Sequence, residues 1–278
     1  MTLVDAHHHV WDLSVRDQDW IAADSSLRRD FTMEDLVPRA RVAGVGRTIL
    51  VQTVTVPEET PEFLTLAARY EPIAGVVGWT DLTRVDIADE LARLRELPGG
   101  EYLKGIRHQV QGEPDPEWLL RPDVRRGLVA VAEADLVYDL IVLPHQLPAC
   151  VEAVRSLPQL TFVLDHLGKP PIASGALEPW ASVVRSLAAL PNAVGKLSGL
   201  VTEADHASWT TEDVRPYADT ALEAFGPGRL MFGSDWPVCT LAASYDQVLS
   251  LAEELTASLD TDEREQVFAG TATRVYGL

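Results

Sequence analysis

The stretch LVYDLIVLPHQLPACVEAVRSLPQLTFVLDH (136–166) contains two apolar runs separated by a helical pattern. The runs at 136–145 and 160–166 are almost continuously apolar, which is typical of strands buried on both faces. A helical pattern at 147–157 lies between them. A strand, a helix and a second strand predict a right-handed crossover between two parallel strands.

The same alternation recurs along the whole chain. The apolar runs are TLVDAHHHV (2–10), RTILVQTV (47–54), PIAGVVGW (72–79), YLKGIRHQV (102–110), LVYDLIVLPH (136–145), LTFVLDH (160–166), AVGKLSG (193–199) and RLMFGSD (229–235). Helical patterns fall at 32–44, 58–70, 88–100, 122–134, 147–157, 177–190, 211–225, 244–258 and 261–276. Eight strands alternating with helices predict an α/β fold, a (β/α)8 TIM barrel formed by residues 1–278 as a single domain. The alternative, an open doubly wound sheet, usually has a glycine-rich turn after its first strand, where this chain has HHHVWD.

Charge and composition exclude several classes of partner. A formal net charge of −19 repels phosphate backbones and anionic lipid heads, so we expect neither nucleic-acid nor membrane binding. We find no apolar run of membrane-spanning length and no signal peptide, and the two cysteines, Cys150 and Cys239, form no spaced motif. We therefore expect a cytoplasmic protein, and a homo-oligomer remains open.

Polar side chains concentrate at the ends of the predicted strands, where barrel enzymes carry their active sites. Six of the seven histidines lie at such ends. The strand-end candidates are His7, His9, Gln52, Arg107, His108, His145, His166 and Asp235.

The strand period of two separates the three adjacent histidines. It predicts that His7 and His9 face one side of the first strand, with Asp5 below them, and that His8 faces the other. Two imidazoles from one strand, a third from a distant strand and a carboxylate form a plausible set for zinc or manganese. Such a metal lowers the pKa of bound water and polarises a carbonyl group.

Over essentially its whole length the chain resembles the amidohydrolase superfamily, in its amidohydrolase-2 branch. Within that branch it is most similar to sugar-lactone lactonases of the L-fuconolactonase and L-rhamnonolactonase type. The segments that carry this resemblance are DAHHHVWD (5–12), KGIRHQVQGEPDPEWLLRPDVRRGL (104–128), VLDHLGKPPI (163–172), GKLSGLVTEA (195–204) and MFGSDWPVC (231–239).

The resemblance implies hydrolysis of a small-molecule sugar lactone to the sugar acid. It implies the metal ligands His7, His9, His145 and Asp235, with His166 beside them and Asp235 handling the proton of the attacking water. The lysine that bridges two metals in some relatives has no match at the end of the fourth strand. We therefore expect one divalent metal at most, zinc first, although an ester-type carbonyl could also react without one.

In this mechanism Asp235 is the general base, and the metal, Arg107 or His166 stabilises the charge on the carbonyl oxygen. Arg107 could instead pair with a structural carboxylate. The candidate substrate-binding residues are Trp11, Gln52, Trp79, Arg107, His108 and Trp236, and the tryptophans could equally close the barrel end. The long connection 12–31, which contains Trp20, is predicted to be a specificity loop or lid.

Two other functions remain open. One is decarboxylation of an aromatic or muconate-type acid, which would need a more basic pocket for its anionic substrate. The other is a catalytically silent barrel used for binding. The presence of the four candidate metal ligands and of His166 speaks against a silent barrel.

Overall fold

A computed structural model describes residues 2–278, and within them eight strands alternate with helices. The strands are β1 (Leu3–His8), β2 (Val45–Val51), β3 (Ile73–Gly78), β4 (Leu103–His108), β5 (Val137–Leu140), β6 (Phe162–Leu164), β7 (Ala193–Leu197) and β8 (Leu230–Phe232). The helices are α1 (Met33–Val42), α2 (Glu59–Arg69), α3 (Ile87–Glu96), α4 (Pro122–Glu133), α5 (Leu147–Ser156), α6 (Trp180–Ala188), α7 (Thr211–Phe225), α8 (Tyr245–Leu255), α9 (Thr261–Glu265) and α10 (Thr271–Tyr276).

The eight strands form one parallel sheet in chain order, and the sheet curls until β8 returns to β1. Two backbone hydrogen bonds cross this seam. Asp235 N donates to His7 O at 2.8 Å, and His9 N donates to Trp236 O at 2.7 Å. The predicted TIM barrel is therefore confirmed, and the seam lies directly beside the first histidine pair.

The predicted helices all form, with ends that differ by a few residues. The last predicted segment, 261–276, is divided into α9 and α10 by a π-helical turn, Gln266–Gly270. Among the described residues, no helix is long and apolar enough to cross a membrane. The chain enters α1 only after the long connection 12–31, whose two ends are joined by reciprocal backbone hydrogen bonds between Trp11 and Phe31.

A β-bulge in β1 changes which face Asp5 occupies. Asp5 lies opposite Thr48 and His8 lies opposite Leu50, so three steps along β1 match two along β2. Asp5 Oδ2 consequently accepts a hydrogen bond from the Tyr245 hydroxyl of α8 at 3.0 Å, outside the barrel. The prediction that Asp5 lies on the same side as the histidine pair is wrong, because strict alternation fails across the bulge.

The barrel interior is layered. Its apolar floor is formed by one side chain from most strands together with α10, namely Val4, Ala6, Ile49, Val51, Val77, Val137, Val163, Val194, Met231, Ala272 and Tyr276. Because side chains alternate, the inward residues two positions after three of these valines are Asp139, Asp165 and Lys196. All three are fully buried, so a charged layer lies directly above the apolar floor.

Asp5 offers a test of the seam. Its carboxylate accepts hydrogen bonds from Ser234 N at 2.8 Å, His7 N at 3.2 Å and the Tyr245 hydroxyl. Asp5→Ala leaves these buried donors without an acceptor, and each unsatisfied donor lowers the free energy of unfolding by about 1–3 kcal/mol. We expect urea denaturation to show a loss of roughly 3 kcal/mol or more in the free energy of unfolding.

The matched control is Asp24→Ala, the same substitution at an exposed position of the 12–31 connection. We expect it to change the free energy of unfolding by less than about 0.5 kcal/mol. Equal effects of the two substitutions would mean that Asp5 does not hold the seam.

Candidate active site

Three side chains converge at the mouth of the barrel beside the seam. His7 Nε2 lies 3.1 Å from His9 Nε2, and Asp235 Oδ1 lies 3.7 Å and 3.5 Å from these two nitrogens. All three residues are buried, and their ligand atoms are close enough together to share one metal ion. Imidazole nitrogen and carboxylate oxygen are ligands that zinc takes in proteins.

Hydrogen bonds behind the two imidazoles decide which atoms face the site. His9 Nδ1 lies 2.8 Å from Val51 O, and a carbonyl can only accept, so His9 Nε2 presents its lone pair to the group. His7 Nδ1 lies 3.2 Å from Lys196 Nζ and 3.3 Å from Asp165 Oδ1. This nitrogen therefore has both a donor and an acceptor within reach, and either tautomer of His7 is accommodated.

The fourth member of the group is His166, which follows β6. His166 Nε2 lies 3.8 Å from Asp235 Oδ1, and its Nδ1 lies 2.9 Å from Ser198 Oγ. The ring occupies space that only a glycine leaves open, since a Cβ at Gly199 would lie 2.4 Å from His166 Nδ1. His166 lies beside the group of His7, His9 and Asp235 rather than within it.

The backbone around these residues is strained. His166, Leu167, Gly168 and Lys169 all have positive φ, which makes a left-handed turn of four residues. Asp235 also has a φ of +55°. Each non-glycine residue in this region costs on the order of 1 kcal/mol, and such strain persists where the surrounding contacts enforce it.

A buried ionic layer supports the group from below. Asp165 Oδ1 lies 2.9 Å from Lys196 Nζ, and Asp165 Oδ2 accepts a hydrogen bond from Arg107 Nη1 at 2.9 Å. Lys196 Nζ also donates to Asp139 Oδ2 at 2.5 Å, and the Tyr276 hydroxyl of α10 donates to the same carboxylate. The two cations balance Asp139 and Asp165, which leaves the charge of Asp235 to be balanced at the mouth.

Burial and these partners set the protonation states. Burial lowers the pKa of His7 well below its ordinary value and that of His166 to about 4, so both are neutral at pH 7. Burial alone would raise the pKa of Asp165, but the charge of Lys196, together with His7 and Arg107, holds it well below its ordinary value. Burial raises the pKa of Asp139 to about 6 against the opposing charge of Lys196.

Asp235 is ionised although it is buried. Burial would raise its pKa, but His166, His9 and Lys169 hold it below its ordinary value. An ionised carboxylate next to neutral imidazoles can accept a proton or bind a cation, and these are the two functions predicted for it.

Each of the three guanidinium nitrogens of Arg107 has a protein acceptor. Its Nε donates to Gln52 Oε1 at 2.8 Å, its Nη2 donates to Gln52 O, and its Nη1 donates to Asp165. These positions favour the alternative in which the guanidinium pairs with a structural carboxylate. Gln52 is fully buried, and its side chain accepts from Arg107 Nε and donates to Val54 O.

His145 does not join the group. Its side chain is exposed on the turn Pro144–Gln146, because β5 ends at Leu140 and the histidine comes five residues after the strand. We therefore leave it out of the ligand set. His8 lies on the opposite face of β1 from its neighbours, with Nε2 3.0 Å from Thr48 Oγ1, as the alternation predicts.

The aromatic candidates divide into two pairs. Trp11 and Trp236 are buried: Trp11 Nε1 donates to Arg29 O at 2.7 Å, and Trp236 packs edge-on against Phe31. Both therefore support the 12–31 connection. Trp79 and His108 are only half-buried, and Trp79 Nε1 donates to His108 Nδ1 at 3.0 Å.

His108 Nε2 therefore carries the ring proton, which it donates to Glu113 Oε1 at 2.7 Å. Its ring stacks on Trp118, with the centroids 4.2 Å apart. Both nitrogens of His108 are thus occupied by protein groups. The ring face of Trp79 remains a candidate wall for a substrate.

Three charged residues of the ionic layer were not predicted from the sequence. Asp139 and Lys196 stand inside apolar runs, and Asp165 directly precedes His166. A charge within a strand that is buried on both faces needs a partner, and this was the available signal. What could not be read from the sequence was which charges would pair across the barrel.

A cavity of about 510 Å³ lies beside the site and does not include its reacting groups. Its walls come from the 12–31 connection, α1 and α2, and its apolar members include Val10, Trp11, Phe31, Met33, Phe63 and Leu66. Trp20 of the same connection is 40% exposed and packs edge-on against Trp11.

Comparison with known proteins agrees with this geometry. Two L-fucono-1,5-lactonases are similar to the chain along its length: that of Burkholderia multivorans is 42% identical over 99% of this chain and 96% of the relative. That of Burkholderia ambifaria is 38% identical over 99% of this chain and 95% of the relative. A crystal structure of an amidohydrolase from Burkholderia multivorans with bound zinc superposes with a TM-score of 0.95 at 41% identity, covering both chains completely. The amidohydrolase family matches residues 4–278, and the chain belongs to this family.

Proposed function

We propose that this chain hydrolyses a sugar lactone to the open sugar acid, with L-fucono-1,5-lactone as the first candidate substrate. The observation that carries the proposal is that full-length similarity to two L-fucono-1,5-lactonases coincides with His7, His9 and Asp235 converging at the barrel mouth. Substrate choice among sugar lactones is part of the proposal.

One divalent metal, zinc first, fits the group. His9 Nε2 presents a lone pair, His7 Nε2 is 3.1 Å away, and the ionised Asp235 supplies the charge. His7, His9 and Asp235 would hold the ion. When bound, such an ion polarises a carbonyl and lowers the pKa of water.

Asp235 is the proton acceptor in the proposed mechanism. Its carboxylate takes a proton from water while the water oxygen forms a bond to the lactone carbonyl carbon. The ring C–O bond then breaks, and the ring oxygen leaves with the proton that Asp235 returns. The product is an open hydroxy acid, which releases one proton at neutral pH. The neutral His166 ring lies next to the same carboxylate, with its Nε2 3.8 Å from Asp235 Oδ1.

The ionic layer fixes these positions before substrate arrives. Asp165 is held by Arg107 and Lys196, and it in turn lies against His7. Because these groups are fully buried, little reorganisation is needed when charge develops at the mouth.

The direct test is a panel of sugar lactones, including L-fucono-1,5-lactone, with a pH indicator reporting acid release. The Asp235→Asn variant serves as the blank for spontaneous ring opening. Acid release above this blank supports the lactonase. Carbon dioxide release from an aromatic acid, without acid release from any lactone, would favour a decarboxylase instead.

Asp235→Asn should abolish turnover and leave the fold intact. Asparagine tolerates the left-handed backbone of this position and keeps the backbone hydrogen bond to His7 O, but it cannot accept the proton. We expect kcat to fall by roughly 10²–10⁴-fold or more, measured by acid release. Asp24→Asn, at an exposed position, is the control, and normal turnover by Asp235→Asn would remove this residue from the mechanism.

Metal content should separate the adjacent histidines. His7→Gln removes a ligand atom, so the purified variant should hold far less than the roughly one equivalent of zinc expected for the wild-type chain, as measured by atomic emission. His8→Gln should keep its metal, because His8 faces Thr48 on the other side of β1. Equal metal loss in both variants would contradict the assignment of the two faces.

A further inference from the structure

The chain has three lysines, and they lie in three different environments. Lys104 lies at the opposite end of the barrel, where its Nζ donates to Gly277 O at 3.4 Å. Lys196 is fully buried in the ionic layer. Lys169 belongs to the left-handed turn that begins at His166, and its side chain remains 23% exposed.

Two adjacent turns place Lys169 at the site. Lys169 N donates to His166 O at 2.9 Å, so the lysine is tied to the histidine that touches Asp235. Ser198, directly after β7, contacts the same histidine. The connection that begins there continues into a short helical turn, Val201–Glu203. Lys169 Nζ lies 3.4 Å from Glu203 Oε1, so the pair bridges the two connections.

Electrostatics agrees with this placement. The charge of Lys169 is among those that act on the pKa values of both Asp235 and His166. Burial raises the pKa of Glu203, and the charge of Asp235 adds to this effect, while Lys169 opposes both. The Lys169–Glu203 pair is therefore within electrostatic reach of the reacting group.

The Lys169–Glu203 pair has hydrogen-bonding capacity that the protein does not use. At 3.4 Å the contact is longer than a well-formed charged hydrogen bond, and an ammonium group has three donors. Arg107, the other cation near Asp235, has protein acceptors on all three nitrogens. Lys169, by contrast, is partly exposed and has N–H donors beyond its one long contact with Glu203.

We propose that Lys169 and Glu203 form the subsite that recognises the hydroxyl groups of the sugar lactone. Lys169 donates to hydroxyl or carbonyl oxygens, and Glu203 accepts from a neighbouring hydroxyl, so a donor and an acceptor stand side by side as vicinal hydroxyls require. This inference rests on the proposed lactonase function and adds to it the residues that distinguish a sugar lactone from a lactone without hydroxyl groups.

The test compares Lys169→Met with Lys104→Met on two substrates, L-fucono-1,5-lactone and δ-valerolactone, which has no hydroxyl group. Methionine keeps an unbranched chain of nearly the length of lysine without its ammonium group, and it meets the same backbone strain at position 169. For the sugar lactone we expect Lys169→Met to raise KM by about 10–100-fold, with kcat within about threefold, because charged hydrogen bonds are lost. Lys104→Met should match the wild-type chain.

For δ-valerolactone the Lys169→Met and wild-type chains should have the same kcat/KM within about threefold. If the wild-type chain does not open δ-valerolactone, the sugar lactone alone provides the test: a change in KM without a change in kcat supports a binding role for Lys169. Glu203→Gln should also raise KM for the sugar lactone, and Lys169→Arg should restore part of the affinity. Zinc content and the thermal midpoint should not change, since neither residue holds the metal.

An unchanged KM in Lys169→Met would overturn the inference. So would an equal loss on both lactones, or a loss of bound zinc, because either would indicate a structural role for the turn. Failure of the wild-type chain and of Lys104→Met on every sugar lactone would instead overturn the lactonase function, and the subsite with it.

Discussion

The buried carboxylate of Asp165 holds the interior of this barrel together. It meets Arg107 from β4, Lys196 from β7 and His7 from β1, and none of these partners is more than slightly exposed. A buried charge is tolerated only when partners surround it, and removing one partner of such a pair typically costs about 3–5 kcal/mol. The positions of three strands are therefore tied to one charge balance, and the site above inherits its geometry from that balance.

This arrangement divides the barrel interior by function. The floor is apolar and includes α10, whose Tyr276 hydroxyl reaches up to Asp139. The middle is ionic and closed, and the mouth carries the residues that can meet a ligand. Because the middle layer pairs its own charges, the ionised Asp235 faces neutral imidazoles and keeps its capacity to bind a cation or a proton.

Much of the fold follows from the sequence because parallel strands buried on both faces are marked by apolar runs such as LTFVLDH, and Phe162–Leu164 lies within this run. The same regularity predicts that His7 and His9 share a face. It fails for Asp5 because one extra residue in β1 reverses the alternation, and such a bulge has no signature in the local sequence.

His145 shows a second limit. Its apolar run is long enough for a strand of ten residues, but β5 contains only four, and His145 lies beyond the end of the strand. Where a strand stops depends on how its neighbours pair, and the run of apolar residues does not encode this. The charge pairs around Lys196 could not be predicted for a related reason. A lysine within AVGKLSG indicates that a partner is needed, but its partners come from other strands.

The seam between β8 and β1 has a consequence for how the protein acquires its chemistry. The first strand supplies two imidazoles, whereas the carboxylate follows the last strand, and contacts such as the hydrogen bond that the Ser234 side chain donates to His7 O join residues 227 positions apart. Contacts so distant in sequence form late, because the chain pays the entropy of closing a long loop before they contribute. A chain in which β8 is out of place would hold His7 and His9 without Asp235, and its ligand set would be incomplete. The ligand set is complete only when β8 lies beside β1, so a bound metal reports a barrel that has already closed.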